Sequence, residues 1–546
     1  MMSLQARPSG TNRERLYLFD TTLRDGAQTT GVDFSVEEKR RIAAVLDDLG
    51  VDYIEGGYPG ANATDTEFLS EPAKFKTATM TAFGMTKRSG RSVSNDPGLQ
   101  AVLGSSAPAI CLVCKAWDYH VRVALGITNE ENLKALELSV KAITASGREA
   151  MIDCEHFFDG YKGNRDYALA VARTAFEAGA RWVVLCDTNG GTLPHEVERI
   201  VSEVAQVVPG SHLGIHTHND TENAVANSLM AVRAGCRQIQ GTLNGIGERC
   251  GNANLTSIIP TLLLKSEFAD RFETKVTPDR LRMLTHASRV LDEVLNRSPD
   301  RHAPYVGASA FATKAGIHAS AIVKEPATYE HVPPESVGNQ RHLLVSKQGG
   351  KSSVLAAIER LGIPVETDDA RLSELLEEVK TREAAGYSYE AAEASFELLA
   401  RRTLDKVPRY FTVDSFRVMV ERRHNARGKL MTVSEATVKV FINGDSEPLW
   451  SVGEGNGPVN ALDMALRKDL GRYQKHIDGV ELVDYKVRIL TGGTEAVTRV
   501  LVESHDTTSG ARWFTVGVSP NIIDASFEAL LDSINYKLMK DNAQAA

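Results

Sequence analysis

Eight short apolar runs, at 16–20, 51–57, 79–84, 110–115, 150–156, 182–188, 212–218 and 238–243, recur through the first half of this 546-residue chain, spaced to leave one helix after each. No other feature narrows the fold as much. Strand and helix in strict alternation build a parallel sheet, either open or closed into a barrel. The joints agree with that reading. Ser35-Val36-Glu37-Glu38 has the form of a capping box opening the first helix, and Gly50 suits the left-handed residue that ends it. Helix, glycine, strand joints recur at Ala178-Gly179-Ala180-Arg181 and Ala234-Gly235-Cys236-Arg237.

The placement of reactive side chains decides between open and closed. Asp20-Thr21-Thr22-Leu23-Arg24-Asp25-Gly26-Ala27-Gln28 leaves the first run, and Asp153-Cys154-Glu155 closes the fifth. Thr188 closes the sixth, His216-Thr217-His218 the seventh, and Gly247-Glu248-Arg249-Cys250-Gly251-Asn252 follows the eighth. A closed (β/α)8 TIM barrel brings the C-terminal ends of all these strands to one mouth, so a barrel is expected. Residues i and i+2 of a strand share a face, so His216 and His218 offer two imidazoles to one ion. Asp25 would complete a His, His, carboxylate site with positions left open for substrate.

Asp20 to Gln28, the His216 and His218 pair and Gly247 to Asn252, in this order on separate strands, resemble the metal-dependent acyltransferase and lyase barrels of the isopropylmalate synthase and homocitrate synthase family. The resemblance runs from about residue 16 to the C-terminus. It implies a divalent metal, Mn²⁺, Mg²⁺ or Zn²⁺, held by Asp25, His216, His218 and Asn252. Arg24 is then the cation beside developing oxyanion charge, Glu155 part of the proton-transfer machinery, and Gln28 and Thr188 substrate contacts, Thr188 to the carboxylate. Lys314-Ala315-Gly316-Ile317-His318 and Ala327-Thr328-Tyr329 resemble family segments that complete acid-base catalysis, making His318 and Tyr329 catalytic candidates; Ala315 stands where many relatives have Gly. The implied reaction is condensation of acetyl-CoA with a 2-oxo acid and hydrolysis of the thioester. Resemblance at 54–60, 117–121 and 155–160 implies pyruvate as the acceptor, giving (R)-citramalate on an isoleucine route. The alternatives are 2-oxoisovalerate or 2-oxoglutarate as acceptor, a lyase running in reverse on the same barrel, and a non-catalytic sensor.

The length implies two or three domains. We expect a disordered tail at 1–14, the barrel at 15–285, helical connector subdomains at 286–410 and an α+β regulatory or dimerisation domain at 411–546. Within the last, Ser451-Val452-Gly453 recurs as Thr515-Val516-Gly517, each followed at the same offset by a helix with alanines in step. This reads as an internal repeat of strand, strand, helix. Resemblance to the family's regulatory domain implies feedback by isoleucine between the repeats, with Gly453, Gly455 and Gly457 giving a ligand close approach to backbone, and it implies a homodimer. Gly349-Gly350-Lys351-Ser352 hints at a phosphate loop, but Val345 stands where its first glycine belongs. A net charge of -9 leaves no basic footprint for nucleic acid, and no apolar run reaches the ~18 residues of a membrane span. A cytoplasmic enzyme is expected, with its six cysteines reduced and mostly buried. Cys111 and Cys114 form a CxxC, but within a strand they face opposite sides, against a redox or zinc role.

Overall fold

The computed structural model describes residues 13–544 apart from 314–315, 344–350, 366–368, 405–406, 425, 429, 444 and 492–495. It divides into two units: 1–311 with 332–341, and 312–331 with 342–546. The expected connector at 286–410 is therefore shared between them. Residues 349–350 of the phosphate-loop hint at 349–352, and the tail up to residue 12, lie outside the described residues. Glu14, assigned to the tail from sequence, is a correction: Glu14–Arg15 forms a short parallel strand against Phe272–Glu273. Arg237 anchors it by donating to Glu14 Oε2.

The first unit is a closed parallel barrel of eight strands. They are β1 Tyr17–Asp20, β2 Tyr53–Gly57, β3 Thr79–Met85, β4 Ala109–Lys115, β5 Glu149–Glu155, β6 Trp182–Asp187, β7 Leu213–Thr217 and β8 Gln238–Gly241, with β8 pairing back onto β1. Because helices cover the outside and side chains fill the inside, both faces of each strand are buried, which is why the runs read as continuously apolar. Phe19, Tyr53, Cys111, Met151, Trp182, Val184 and Cys186 pack together as an inner layer. The other alternation, including Ile54, Leu112, Cys154 and Ile215, packs under the helices. Five cysteines are buried and Cys250 is exposed, all as free thiols. Ser35 and Glu38 make both bonds of the capping box on helix Val36–Leu49, and Gly50 ends it at φ 95°.

The second unit carries two three-stranded antiparallel sheets. One is β9 Phe411–His424, β10 Leu430–Ile442 and β11 Leu449–Gly455, followed by helix Pro458–Lys468; the other is β12 Val480–Ile489, β13 Thr498–Asp506 and β14 Arg512–Ser519, followed by helix Ile522–Lys540. Sequence reading expected two strands before each helix, and the structure has three. The missed strands β9 and β12 keep much of their surface exposed and carry charges, so no apolar run betrays them. Helices Arg371–Ala385 and Glu393–Thr403 bury a separate apolar cluster that reaches Val516 of β14. Among the described residues no helix is long and apolar enough to cross a membrane.

Candidate active site

The chain turns sharply where β1 ends because Asp20 is buried and captures the next residues: Thr22 donates to it through both N–H and Oγ1. Arg24 and Asp25 are thereby presented at the C-terminal mouth of the barrel. Arg24 Nε donates to Glu55 Oε2 at 2.7 Å, its Nη1 donates to Asp25 Oδ1 at 3.0 Å, and its guanidinium lies 4.0 Å from the Phe83 ring centre. Burial works against the charge on Arg24, but Asp25, Glu55 and Asp153 outweigh it and raise its pKa. Burial likewise opposes ionisation of Asp25, yet Arg24 and the two imidazoles hold its carboxyl well below the usual range.

Three ligand atoms converge beside this guanidinium. His216 Nε2 lies 3.1 Å from His218 Nε2 and 3.2 Å from Asp25 Oδ2, and His218 Nε2 is 3.9 Å from the same oxygen. An ion with bonds of about 2.1 Å separates neighbouring ligand atoms by about 3.0 to 3.4 Å, so the group fits a divalent cation. Two orphans point the same way. Asp25 Oδ2 and Asn252 Oδ1 are buried without a hydrogen-bond partner, while the Asn252 amide nitrogen donates to Ile246 O and its backbone bridges to His218. Two nitrogens and two oxygens suit the borderline and hard ions Zn²⁺, Mn²⁺ and Mg²⁺. A buried polar group orphaned without such a role costs about 1–3 kcal/mol.

Gln240 sets the tautomer. Its Oε1 accepts from His216 Nδ1 at 2.9 Å because its Nε2 donates to Asp153 Oδ1, so in the neutral ring it is the His216 Nε2 lone pair that faces Asp25 and His218. Burial, the largest effect, pushes His218 down to about 3 and keeps it neutral, as a ligand must be, whereas Asp25 outweighs burial and raises His216, from which an entering ion would displace a proton. A second group of ligand-type side chains, Glu55, Cys111 and Asp153, lies deeper. Glu55 already carries Thr21 Oγ1 and the Arg24 guanidinium, so this group seats a guanidinium rather than an ion.

A cavity of about 220 Å³ opens above these residues, lined by Arg24, Asp25, Gln28, Glu155, Thr188, His216 and His218 from the expected set, with Phe83, Val113, Asp153, Cys186 and Glu248. Its volume accommodates a small acid. Glu155 pairs with Lys115, its neighbour in register on β4. A larger hollow of about 420 Å³ lies beside helix Val36–Leu49, but it gathers surface charges such as Arg40, Asp48 and Lys74 and none of the converging groups.

His318 and Tyr329 belong to the second unit. Their rings lie 4.1 Å apart, and both side chains are exposed. The glycines proposed for an effector require a correction. A Cβ on Gly453 would strike Ala461 O and Ala465 N, and one on Gly455 would strike Asn460 and Ala461 N, so helix Pro458–Lys468 takes up the close approach assigned to a ligand. Gly457 alone is open. Sequence reasoning missed Glu55, Gln240 and Lys115, and the available signal was polar residues closing or interrupting buried strands.

Residues 15–286 match the family model described as HMGL-like, 305–386 the homocitrate synthase post-HMGL domain-like model, and 390–538 the LeuA allosteric (dimerisation) domain. The chain is 48% identical to an (R)-citramalate synthase of Aquifex aeolicus over 97% of this chain and 99% of that one. It is 49% identical to an (R)-citramalate synthase of Geobacter sulfurreducens over 96% and 97% of the two chains. Identity to a probable 2-isopropylmalate synthase of Methanopyrus kandleri is 32%, over 96% and 98%.

Proposed function

Because the chain belongs to the (R)-citramalate synthases of the isopropylmalate and homocitrate synthase family, we propose that it condenses acetyl-CoA with pyruvate and hydrolyses the thioester, releasing (R)-citramalate and CoA. The observation that carries this reading is the meeting of Asp25 Oδ2, His216 Nε2 and His218 Nε2 beside Arg24 in a cavity sized for a small acid. A divalent ion held there by Asp25, His216, His218 and Asn252 supplies Lewis-acid polarisation of a 2-oxo acid when bound; Mn²⁺, Mg²⁺ and Zn²⁺ all suit the donors.

The chain's own residues do the rest. Thr188 and Gln28 line the cavity, Thr188 as the donor to the substrate carboxylate and Gln28 as a further substrate contact. Arg24, fixed on Glu55 and Asp25, is a preorganised cation where the ketone oxygen gains negative charge as the new carbon–carbon bond forms. Carbon chemistry begins with loss of a proton from the acetyl methyl group. Glu155, held by Lys115, takes part in that proton transfer, and His318 and Tyr329 complete the acid-base work. Water then adds to the thioester carbonyl and CoA leaves as the thiol. Residues 411–546 serve a cytoplasmic homodimer and bind isoleucine as feedback inhibitor; the match to an allosteric dimerisation domain supports both.

CoA thiol release with pyruvate, 2-oxoisovalerate and 2-oxoglutarate tests the acceptor. Pyruvate is expected to give by far the highest kcat/KM. A preference for 2-oxoisovalerate would move the assignment to isopropylmalate synthesis.

A further inference from the structure

Between Glu155 and helix Phe157–Gly163 stands His156, at φ 56° and ψ 35°. A residue with a Cβ enters this left-handed region at a cost and stays only where its surroundings enforce it. The bonds show what the conformation achieves. His156 N–H donates to Thr188 Oγ1 at 2.8 Å. Three residues on, Asp159 Oδ2 accepts from Asn189 Nδ2 at 2.9 Å and lies 3.4 Å from His156 Nδ1. The loop leaving β5 and the loop leaving β6 are therefore clasped at two points, next to Glu155 and Thr188, which both line the cavity. Since Thr188 Oγ1 accepts from His156, its single proton is left to donate elsewhere, and no acceptor for it occurs among the described residues. The His156 ring itself turns away from this bond, packing 4.1 Å from the His120 ring and 5.8 Å from that of Trp117.

We propose that His156 is a positioning residue whose left-handed backbone, rather than its imidazole, aims the Thr188 hydroxyl at the substrate. The proposal rests on the reading of the cavity as a 2-oxo acid site. Its logic ranks substitutions by backbone tolerance and not by chemistry. Glycine and asparagine adopt the left-handed region readily, alanine less so, and a β-branched residue hardly at all. Glycine and alanine both remove the imidazole, so any difference between them reports the backbone.

The test is steady-state kinetics on the full-length, metal-loaded enzyme with His156→Gly, His156→Asn, His156→Ala and His156→Val, each alone and combined with Thr188→Val. Pyruvate-dependent CoA release by the unmodified enzyme is scored first, and its absence sinks the reading of the site itself. With that activity present, Gly and Asn are expected to hold KM for pyruvate within about threefold, whereas Val raises it about tenfold or more with Ala in between. Mn²⁺ affinity measured by calorimetry stays unchanged throughout. In the Thr188→Val background the His156 substitutions add little, because the group they act through is gone. Equal damage from Gly, Asn and Val would assign the role to the imidazole and overturn the proposal, as would a harmless Val or effects that multiply with Thr188→Val. If His156→Val does not fold, the comparison of Ala with Gly decides, and equal KM values for those two overturn it.

Discussion

In the second unit, buried Glu397 is taken by Arg401 and Lys540, Asp532 by Ser395 and Arg402, and Asp506 by Ser509, Thr508 and Lys537. At the barrel mouth, by contrast, Asp25 Oδ2, Glu55 Oε1, His120 Nδ1 and Asn252 Oδ1 are buried with no hydrogen-bond partner. The buried orphans described in the second unit are hydroxyls and guanidinium nitrogens, with no carboxylate or imidazole among them. The contrast separates polar groups that fix structure from polar groups held ready for something else. Satisfied carboxylates stabilise the fold in which they sit; unsatisfied ones spend stability and are retained where a ligand completes them.

The largest expected break comes from Arg24→Ala, which removes the cation from among Asp25, Glu55 and Asp153. Turnover should fall by about 10²–10³, the loss typical of removing one transition-state charge stabiliser, while Mn²⁺ still binds. Retained turnover would mean that Arg24 is merely a structural partner of Glu55. Gln240→Leu tests the orphan side more gently, since it leaves every ligand in place and frees the His216 tautomer. Calorimetry should show metal affinity weakened by about 10–100-fold. Unchanged affinity would show that the 2.9 Å bond to His216 is incidental.

The smallest effect belongs to the satisfied side. Ser509, against a burial effect of opposite sign, leads the bonds from Thr508 and Lys537 that hold Asp506 below its ordinary value of 3.8. A carboxyl lowered on folding contributes stability that is fully present above 3.8 and is lost as pH falls through its folded value. Asp506→Asn should therefore cost about 1 kcal/mol in thermal or urea unfolding at pH 7 and progressively less below pH 3.8, with turnover at pH 7 unchanged. A cost independent of pH would assign the loss to packing.

The same contrast explains what could be read from sequence. Parallel strands covered on both faces write themselves as apolar runs, so all eight barrel strands were legible to within a few residues. His216 and His218 were legible because two residues apart on a strand means one face. Glu55 and Gln240 were not, since their partners come from elsewhere in the barrel, Arg24 from the loop leaving β1 and His216 from β7, and only the closed barrel shows that they meet. In the second unit, β9 and β12 escaped notice because residues such as Arg417, Glu421, Glu481 and Lys486 fill their exposed faces. Gly453 was read as a place where a ligand comes close to the backbone, but the group that approaches it is the protein's own helix.

The claim that the orphaned mouth is a metal-dependent condensing site is tested most directly by pyruvate-dependent CoA release from acetyl-CoA before and after stripping with EDTA. Stripped protein should lose the activity and regain it on addition of Mn²⁺ or Mg²⁺, with citramalate as product. Full activity in the stripped protein, unchanged by added metal, would contradict the account.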